Sequence, residues 1–417
     1  MRWFSVFRRF GSFVSLRVAS QILALLTGIL VVRILSTENY AYYALATSLL
    51  SAIAVLSASG VSSRLISIVS KVDRPSDIAD RAFASALSVR TRNLIVVSAL
   101  GLPFLGFLLI ANGADLMMTI AIVTIVGIAT VPALNIGVYT VELEAGRRFN
   151  TIALADVTAT GSRLGLTLVV VLANFLWAPI LLAVSLIGSL IQSVLIRRAA
   201  RKTIDSSAAI TRQDRSLFVA AVRQTMPASL LMILGEQSVN FMLTIGGNLD
   251  GIAQNVALSR FAVAFAVVNG ILGTLGASWI SRASSKPKLR LVVSRYLAAY
   301  GLICILFCLL VALFADQLLF LLGSEYRGLR LELVVITIGA ALSNFASFGL
   351  GVVNHARGWL SYSWAYAPFV AIWFAVSVLF VDIGSPLGAA VLLASLSLPL
   401  VAANLVRGFV GYRRNDG

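Results

Sequence analysis

About twelve long apolar stretches recur along this chain, and Lys and Arg crowd into every second connection between them. Each stretch has roughly the 20 residues that a helix needs to cross about 30 Å of hydrocarbon. Alternation of basic and basic-poor connections has no purpose in a soluble basic protein. In a polytopic membrane protein it does, because Lys and Arg are retained on the cytoplasmic side. The chain is therefore predicted to be an all-α polytopic protein of the bacterial inner (cell) membrane, with both termini cytoplasmic. The mean hydropathy of +0.94 and only 12% charged residues over 417 residues agree, since a soluble fold of this length needs far more polar surface.

The predicted spans are 13–34, 40–62, 92–112, 116–138, 151–174, 176–196, 226–247, 254–279, 291–314, 331–353, 361–381 and 385–406. Connections on the basic side carry Lys71, Arg74, Arg81, Arg147, Arg148, Arg197, Arg198, Arg201, Lys202, Lys286 and Lys288, with Arg413 and Arg414 in the tail. The opposite connections are short and hold Glu38, Asp115, Asp250, Asp316, Glu325 and Asp382; Arg327 and Arg330 break the pattern. With no basic patch on a soluble domain, the net charge of +16 points to anionic lipid headgroups and not to nucleic acid. The N-terminal segment, with Trp3, Phe4, Phe7 and Phe10 beside Arg2, Arg8 and Arg9, suits the membrane interface, and the run after it reads as a retained first span.

Several chemistries find no support. Cys304 and Cys308 lie one turn apart in an apolar span and read as packing residues, and His355 is the only histidine. No metal site can be assembled from these, no Walker-type nucleotide loop is present, and no catalytic set is evident. The expectation is a non-enzyme without a cofactor.

The longest internal polar break, 197–225, leaves six predicted spans on each side. Shifting the second half by 213 residues pairs Gly60 with Gly273, Ala44-Leu45 with Ala257-Leu258, and Thr124-Ile125 with Thr337-Ile338. This predicts two six-helix lobes, 1–205 and 206–417, related by an axis along the membrane normal.

Ionisable side chains inside spans are costly and become functional candidates. Arg163 is the deepest cation, with Asp156 two turns earlier on the same face and Thr160 and Ser162 nearby. The stripe is either a structural charge pair or a cation that meets an anionic substrate. Glu236 is the deepest acid, with Asn240 one turn on. It either pairs with Arg163 or Arg260 or exchanges a coupling ion, H+ or Na+, as the cavity opens to each side. Arg17, Arg64 and Arg260 lie shallower, and Arg17 and Arg64 are close enough to span ends to reach the interface. Pro132, Pro227 and Pro368 suggest kinks; Gly270, Gly273 and Gly276 suggest close helix packing.

The opening stretch RVASQILALLTGILVVRILSTENYAYYALATSLLSAIAVLSASGVSSRLI resembles that of the Wzx-type polysaccharide flippases of the multidrug/oligosaccharidyl-lipid/polysaccharide exporter superfamily. Its first span ends in an R-x-L-[ST]-x-E-x-[YF] turn, here Arg33, Leu35, Ser36, Glu38 and Tyr40, followed by an aromatic-small span reaching Gly60. Leu322-Gly323-Ser324-Glu325-Tyr326 is similar to the family's turn between spans nine and ten, with Leu in place of Phe. The resemblance implies about 12 transmembrane helices in two six-helix lobes, MATE-like, around a central cavity. It implies a flippase moving undecaprenyl-diphosphate-linked oligosaccharide to the periplasmic leaflet by alternating access, for exopolysaccharide, O-antigen or capsule. Arg17, Arg64, Arg163 and Arg260 would bind that substrate, Glu236 and Asp156 would couple ions, and a polysaccharide polymerase and export proteins would be partners. The competing expectations are a multidrug/cation antiporter of the same superfamily, which favours acidic groups, a membrane-embedded polymerase, and a non-transporting scaffold.

Overall fold

The computed structural model describes residues 2–69, 76–146, 148–204, 208–266, 268–269, 272, 276, 279–280, 285–357, 359 and 366–415, with side chains from 13 to 414. Lys71, Arg74, Arg147, Gly270 and Gly273, and the side chains of the N-terminal aromatic segment, lie outside them. Among the described residues every regular element is helical. Among the described residues, ten helices are long and apolar enough to cross a membrane, and a shorter apolar helix covers Tyr366–Phe380. Rows of large apolar side chains on their outer faces, such as Ile95, Leu100, Leu172, Leu313 and Phe380, are exposed. A helix satisfies its own backbone polar groups, so lipid can cover such faces without cost. The chain is an all-α multi-pass membrane protein.

It divides into two compact units, Met1–Ile233 and Leu234–Gly417. The first holds α1 (Arg2–Ile34), α2 (Thr37–Ala58), α3 (Val61–Val69), α4 (Asp77–Ala111), α5 (Leu116–Ala145), α6 (Phe149–Leu172), α7 (Ala178–Ala200) and the first part of α8 (Arg212–Ile245). Helix α6 packs against α1 and α7, α7 against α5, and α4 against α2 and α5. Turn residues set the helix starts. The Ser36 hydroxyl accepts from the Asn39 N–H at 3.3 Å, and Asp115 accepts from the Met118 N–H at 2.6 Å. Glu38 accepts from the Tyr42 hydroxyl at 2.8 Å, and Tyr40 is fully buried. The Ser36–Glu38–Tyr40 turn thus serves as a cap and anchor for α2.

Helices α4 and α8 begin more than ten residues before their predicted spans. Helix α4 has 35 residues and α8 has 34, each about 50 Å long at 1.5 Å per residue, so each begins outside the hydrocarbon. Hydropathy places the start of α4 near 92, but DRAFASALSVRTR contains no helix breaker. Its apolar residues Ala79, Ala82, Phe83, Ala86 and Val89 join Val61, Leu65, Val138, Tyr139, Ile196 and Phe218 in one core at that end of the unit. Phe218 brings the start of α8 into the same core. Between α2 and α3, Gly60 adopts φ +73°, and a Cβ there would overlap the Ala221 carbonyl and the Thr225 hydroxyl of α8. The adjacent Ser59 hydroxyl hydrogen-bonds that of Ser229, also on α8, at 2.8 Å. Pro132 and Pro227 sit inside continuous helices.

The second unit continues with α9 (Leu249–Leu258), which tightens into a 3-10 turn at Ser259–Ala264, then α10 (Lys286–Leu313), α11 (Ala315–Leu322), α12 (Arg330–Ala356), α13 (Tyr366–Phe380), α14 (Pro386–Ser395) and α15 (Ser397–Asn415). The predicted span 254–279 falls partly outside the described residues. Helix α12 contacts α9, α10, α14 and α15, and contains a π-helical turn at Phe345–Leu350. The Tyr296 hydroxyl of α10 donates to the Phe348 carbonyl in that turn at 2.5 Å. Asn255 donates to the Ala389 carbonyl at 3.0 Å, and the Trp373 indole to the Ser395 hydroxyl at 2.9 Å. Cys304 and Cys308 are free thiols facing α12, as packing residues.

Candidate functional site

The first unit holds two polar tiers inside its helices. In the first, Asp156 on α6 is buried and divides its carboxylate between two helices. One oxygen pairs with the Arg17 guanidinium of α1, and the other accepts from the Gln192 amide of α7 at 2.6 Å. Arg17 is about half exposed, so one side of the pair is open and the other sealed. Both carboxylate oxygens are satisfied, as a carboxylate in such a setting requires. Charge-assisted bonds from two helices hold α1, α6 and α7 together at this level.

The second tier lies two turns further along α6. Arg163 donates to the Ser185 carbonyl of α7 at 3.4 Å, and the Ser185 hydroxyl meets that of Tyr43, on α2, at 3.3 Å. Gly188 gives the guanidinium its seat; a Cβ there would lie 3.5 Å from the Arg163 Nε. That Nε is buried without a hydrogen-bond partner, and Arg163 forms no ion pair among the described residues. Arg163 stands nine residues from the end of α6, about 14 Å along the axis, near the middle of a bilayer.

Asp156 and Arg163 share a face of α6 without pairing with each other, and the structural charge pair between helices is made by Asp156 alone. Arg17 takes the carboxylate instead, so its side chain is committed to a partner 139 residues away and not only reaching for the interface. The remaining candidates lie elsewhere. Arg64 is half-buried on the short helix α3, and its Nε has no partner. Arg260 lies in the 3-10 turn Ser259–Ala264 of the second unit, and Glu236 is exposed on the part of α8 that belongs to that unit. Sequence reasoning missed Gln192, Ser185 and Tyr43. Gln192 had a usable signal, a long polar side chain inside the apolar run LIGSLIQSVLI. No group of three or more His, Cys, Asp or Glu among the described residues is placed to hold a metal ion.

No protein-family model matches the sequence, and no curated protein matches it. Solved structures do match. An inward-facing multidrug resistance MATE family transporter of the MOP superfamily is 17% identical, with a TM-score of 0.70 over 95% of this chain and 94% of its own. The lipid II flippase MurJ, in an inward closed conformation, is 15% identical, with a TM-score of 0.70 over 97% of this chain and 89% of its own. The eukaryotic MATE transporter AtDTX14 is 14% identical, with a TM-score of 0.67 over 96% and 93%. At these identities the likeness establishes the fold, and the fold of this chain is MATE-like.

Proposed function

We propose that this chain is a transporter of the MOP superfamily that moves an anionic, lipid-linked substrate across the bacterial inner membrane by alternating access. The fold, like that of multidrug transporters and a lipid flippase, supports transport in general. The observation that carries the substrate class is Arg163, a mid-span cation with no acid partner among the described residues, while the nearby acid Asp156 is already held by Arg17. A diphosphate crossing a low-dielectric path needs such donors. The sugar-linked undecaprenyl diphosphate of a surface polysaccharide pathway fits this chemistry, with Arg17, Arg64 and Arg260 as further contacts and polymerase and export proteins as partners. Cytoplasmic termini follow from the basic connections.

A multidrug/cation antiporter is the second reading, and the solved structures favour it more directly, since several of the similar ones are MATE transporters. Glu236, an exposed acid within a spanning helix, suits a cationic drug or a coupling H+ or Na+. One experiment separates the two. Arg163→Ala and Glu236→Gln are expressed in a deletion strain, and lipid-linked oligosaccharide and drug susceptibility are both measured. Accumulated lipid-linked oligosaccharide with Arg163→Ala, at unchanged drug susceptibility, supports the first. Drug sensitisation by Glu236→Gln with normal polysaccharide overturns it.

A further inference from the structure

Arg90, on α4, is 3% exposed, the one arginine among the described residues that is buried. Its Nε and Nη1 are buried and make no hydrogen bond. It forms no ion pair among the described residues. One turn on, the Asn93 Nδ2 is likewise buried without a partner, and side chains three apart on a helix are neighbours. All three unmet atoms are donors. The guanidinium lies over Gly137 of α5, where a Cβ would overlap it, so the absence of a side chain there is what lets the cation close into the helix pair. Its sequence neighbours Phe83, Ala86 and Val89 belong to the apolar core at this end of the unit.

An unpaired cation in such surroundings is among the costliest arrangements a fold can hold. An unmet buried group of this kind calls for an explanation outside the resting contacts. Arg90 is 21 residues before the end of α4, about 30 Å along the axis, which sets it at the edge of the hydrocarbon on the side expected to be cytoplasmic. An anionic headgroup entering from that side meets this level before the Arg163 tier.

Resting on the anionic-substrate reading, we propose that Arg90 and Asn93 form a diphosphate-binding pair, closed in this conformation over Gly137, that engages the headgroup when α4 and α5 part. Three donors without an acceptor match phosphate oxygens and reject a cation. The cost of the closed state is relieved when the anion arrives, which drives the opening.

The test uses the full chain purified in detergent, with Arg90→Met as a volume-conserving neutral variant. Thermal unfolding is followed with inorganic pyrophosphate and, separately, with undecaprenyl diphosphate micelles. The parent is expected to gain a few degrees at ligand ~100-fold above Kd. Arg90→Met is expected to melt higher than the parent without ligand, because the unpaired cation is gone, and to lose at least half of the ligand shift. A response to free pyrophosphate assigns the contact to the diphosphate group irrespective of its carrier; a response only to the lipid form assigns it to the lipid-borne diphosphate. An undiminished shift in a folded Arg90→Met overturns the proposal. If Arg90→Met does not fold, Gly137→Ala carries the test: it expels the guanidinium and is expected to strengthen the pyrophosphate response, and a weakened response overturns the assignment. An undiminished shift in Arg90→Met that Arg163→Ala abolishes removes Arg90 alone, whereas a parent that responds to neither diphosphate removes the anionic-substrate reading as well.

Discussion

Asp156 of α6 pairs with Arg17 of α1, leaving Arg163, two turns away on the same helix, without an acid among the described residues. One ion pair thereby separates two cations that the sequence distinguishes only by depth. Arg17 enters any ligand contact by giving up a carboxylate, whereas Arg163 gives up a single long hydrogen bond to a carbonyl. Charge neutralisation at the two positions is expected to differ accordingly.

Arg17→Leu leaves Asp156 with Gln192 alone and is expected to cost about 1–3 kcal/mol of stability, the value of a charge-assisted bond. The double variant Arg17→Leu/Asp156→Leu is expected to lose less than the sum of the two single variants, because each single change strands a charge. Thermal unfolding of the four proteins in detergent measures the coupling, and strict additivity contradicts the pair.

Gln192→Leu removes the donor to the second Asp156 oxygen and is expected to cost about 1–2 kcal/mol. Gln192→Glu sets a second carboxylate against Asp156 and is expected to be worse, although Gln and Glu have nearly the same shape. Equal melting temperatures for the two variants would show that the amide of Gln192 is not what Asp156 uses.

Gly60→Ala meets two obstacles, φ of +73° and overlap with Ala221 and Thr225 of α8. A loss above ~2 kcal/mol, read as reduced yield and melting temperature, is expected. Gly247 has φ of +66° but open space around it, so Gly247→Ala is expected to cost only about 1 kcal/mol. The contrast isolates the packing of the α2–α3 turn on α8 from backbone strain.

Tyr296→Phe deletes the hydroxyl that donates to the Phe348 carbonyl in the π-helical turn of α12. Such turns leave backbone groups in need of partners. The expected cost is about 1 kcal/mol, with faster amide exchange at residues 345–350 than elsewhere in α12. Uniform exchange along α12 in the variant would mean that the hydroxyl does not hold the turn.

The exposed pair Arg330–Asp316, 3.4 Å apart, is expected to contribute little. Asp316→Asn should move stability by no more than about 0.5 kcal/mol and less at high salt, measured as melting temperature in low and high NaCl.

Much of the fold was legible in the sequence because a bilayer restricts the choices so strongly. Apolar runs of spanning length have to be helices, and the ends of Ala178–Ala200 fall close to where hydropathy puts them. Hydropathy misplaces helix starts where helix and span are different things. The first turns of α4 and α8 are polar enough to look like loops, and they are helical because Phe83, Val89 and Phe218 find a core outside the hydrocarbon. The Ser36–Glu38–Tyr40 turn was legible as a motif, and only its contacts show it to be a helix start.

The candidate site divides along the same line. The sequence by itself determined that the chain spans the membrane many times as helices, where its basic connections lie, and that Arg163, Asp156 and Glu236 sit within spans, because length and hydropathy are local properties. Which charges meet is set by how the helices pack. Arg17 reaches Asp156 across 139 residues, Gln192 reaches it across 36, and Arg90 closes over Gly137 on the next helix. Each of these depends on which faces of packed helices come together. A local pattern marks which face of a helix turns inward, as the stripe of Asp156, Thr160 and Arg163 does, but not which face of which other helix meets it.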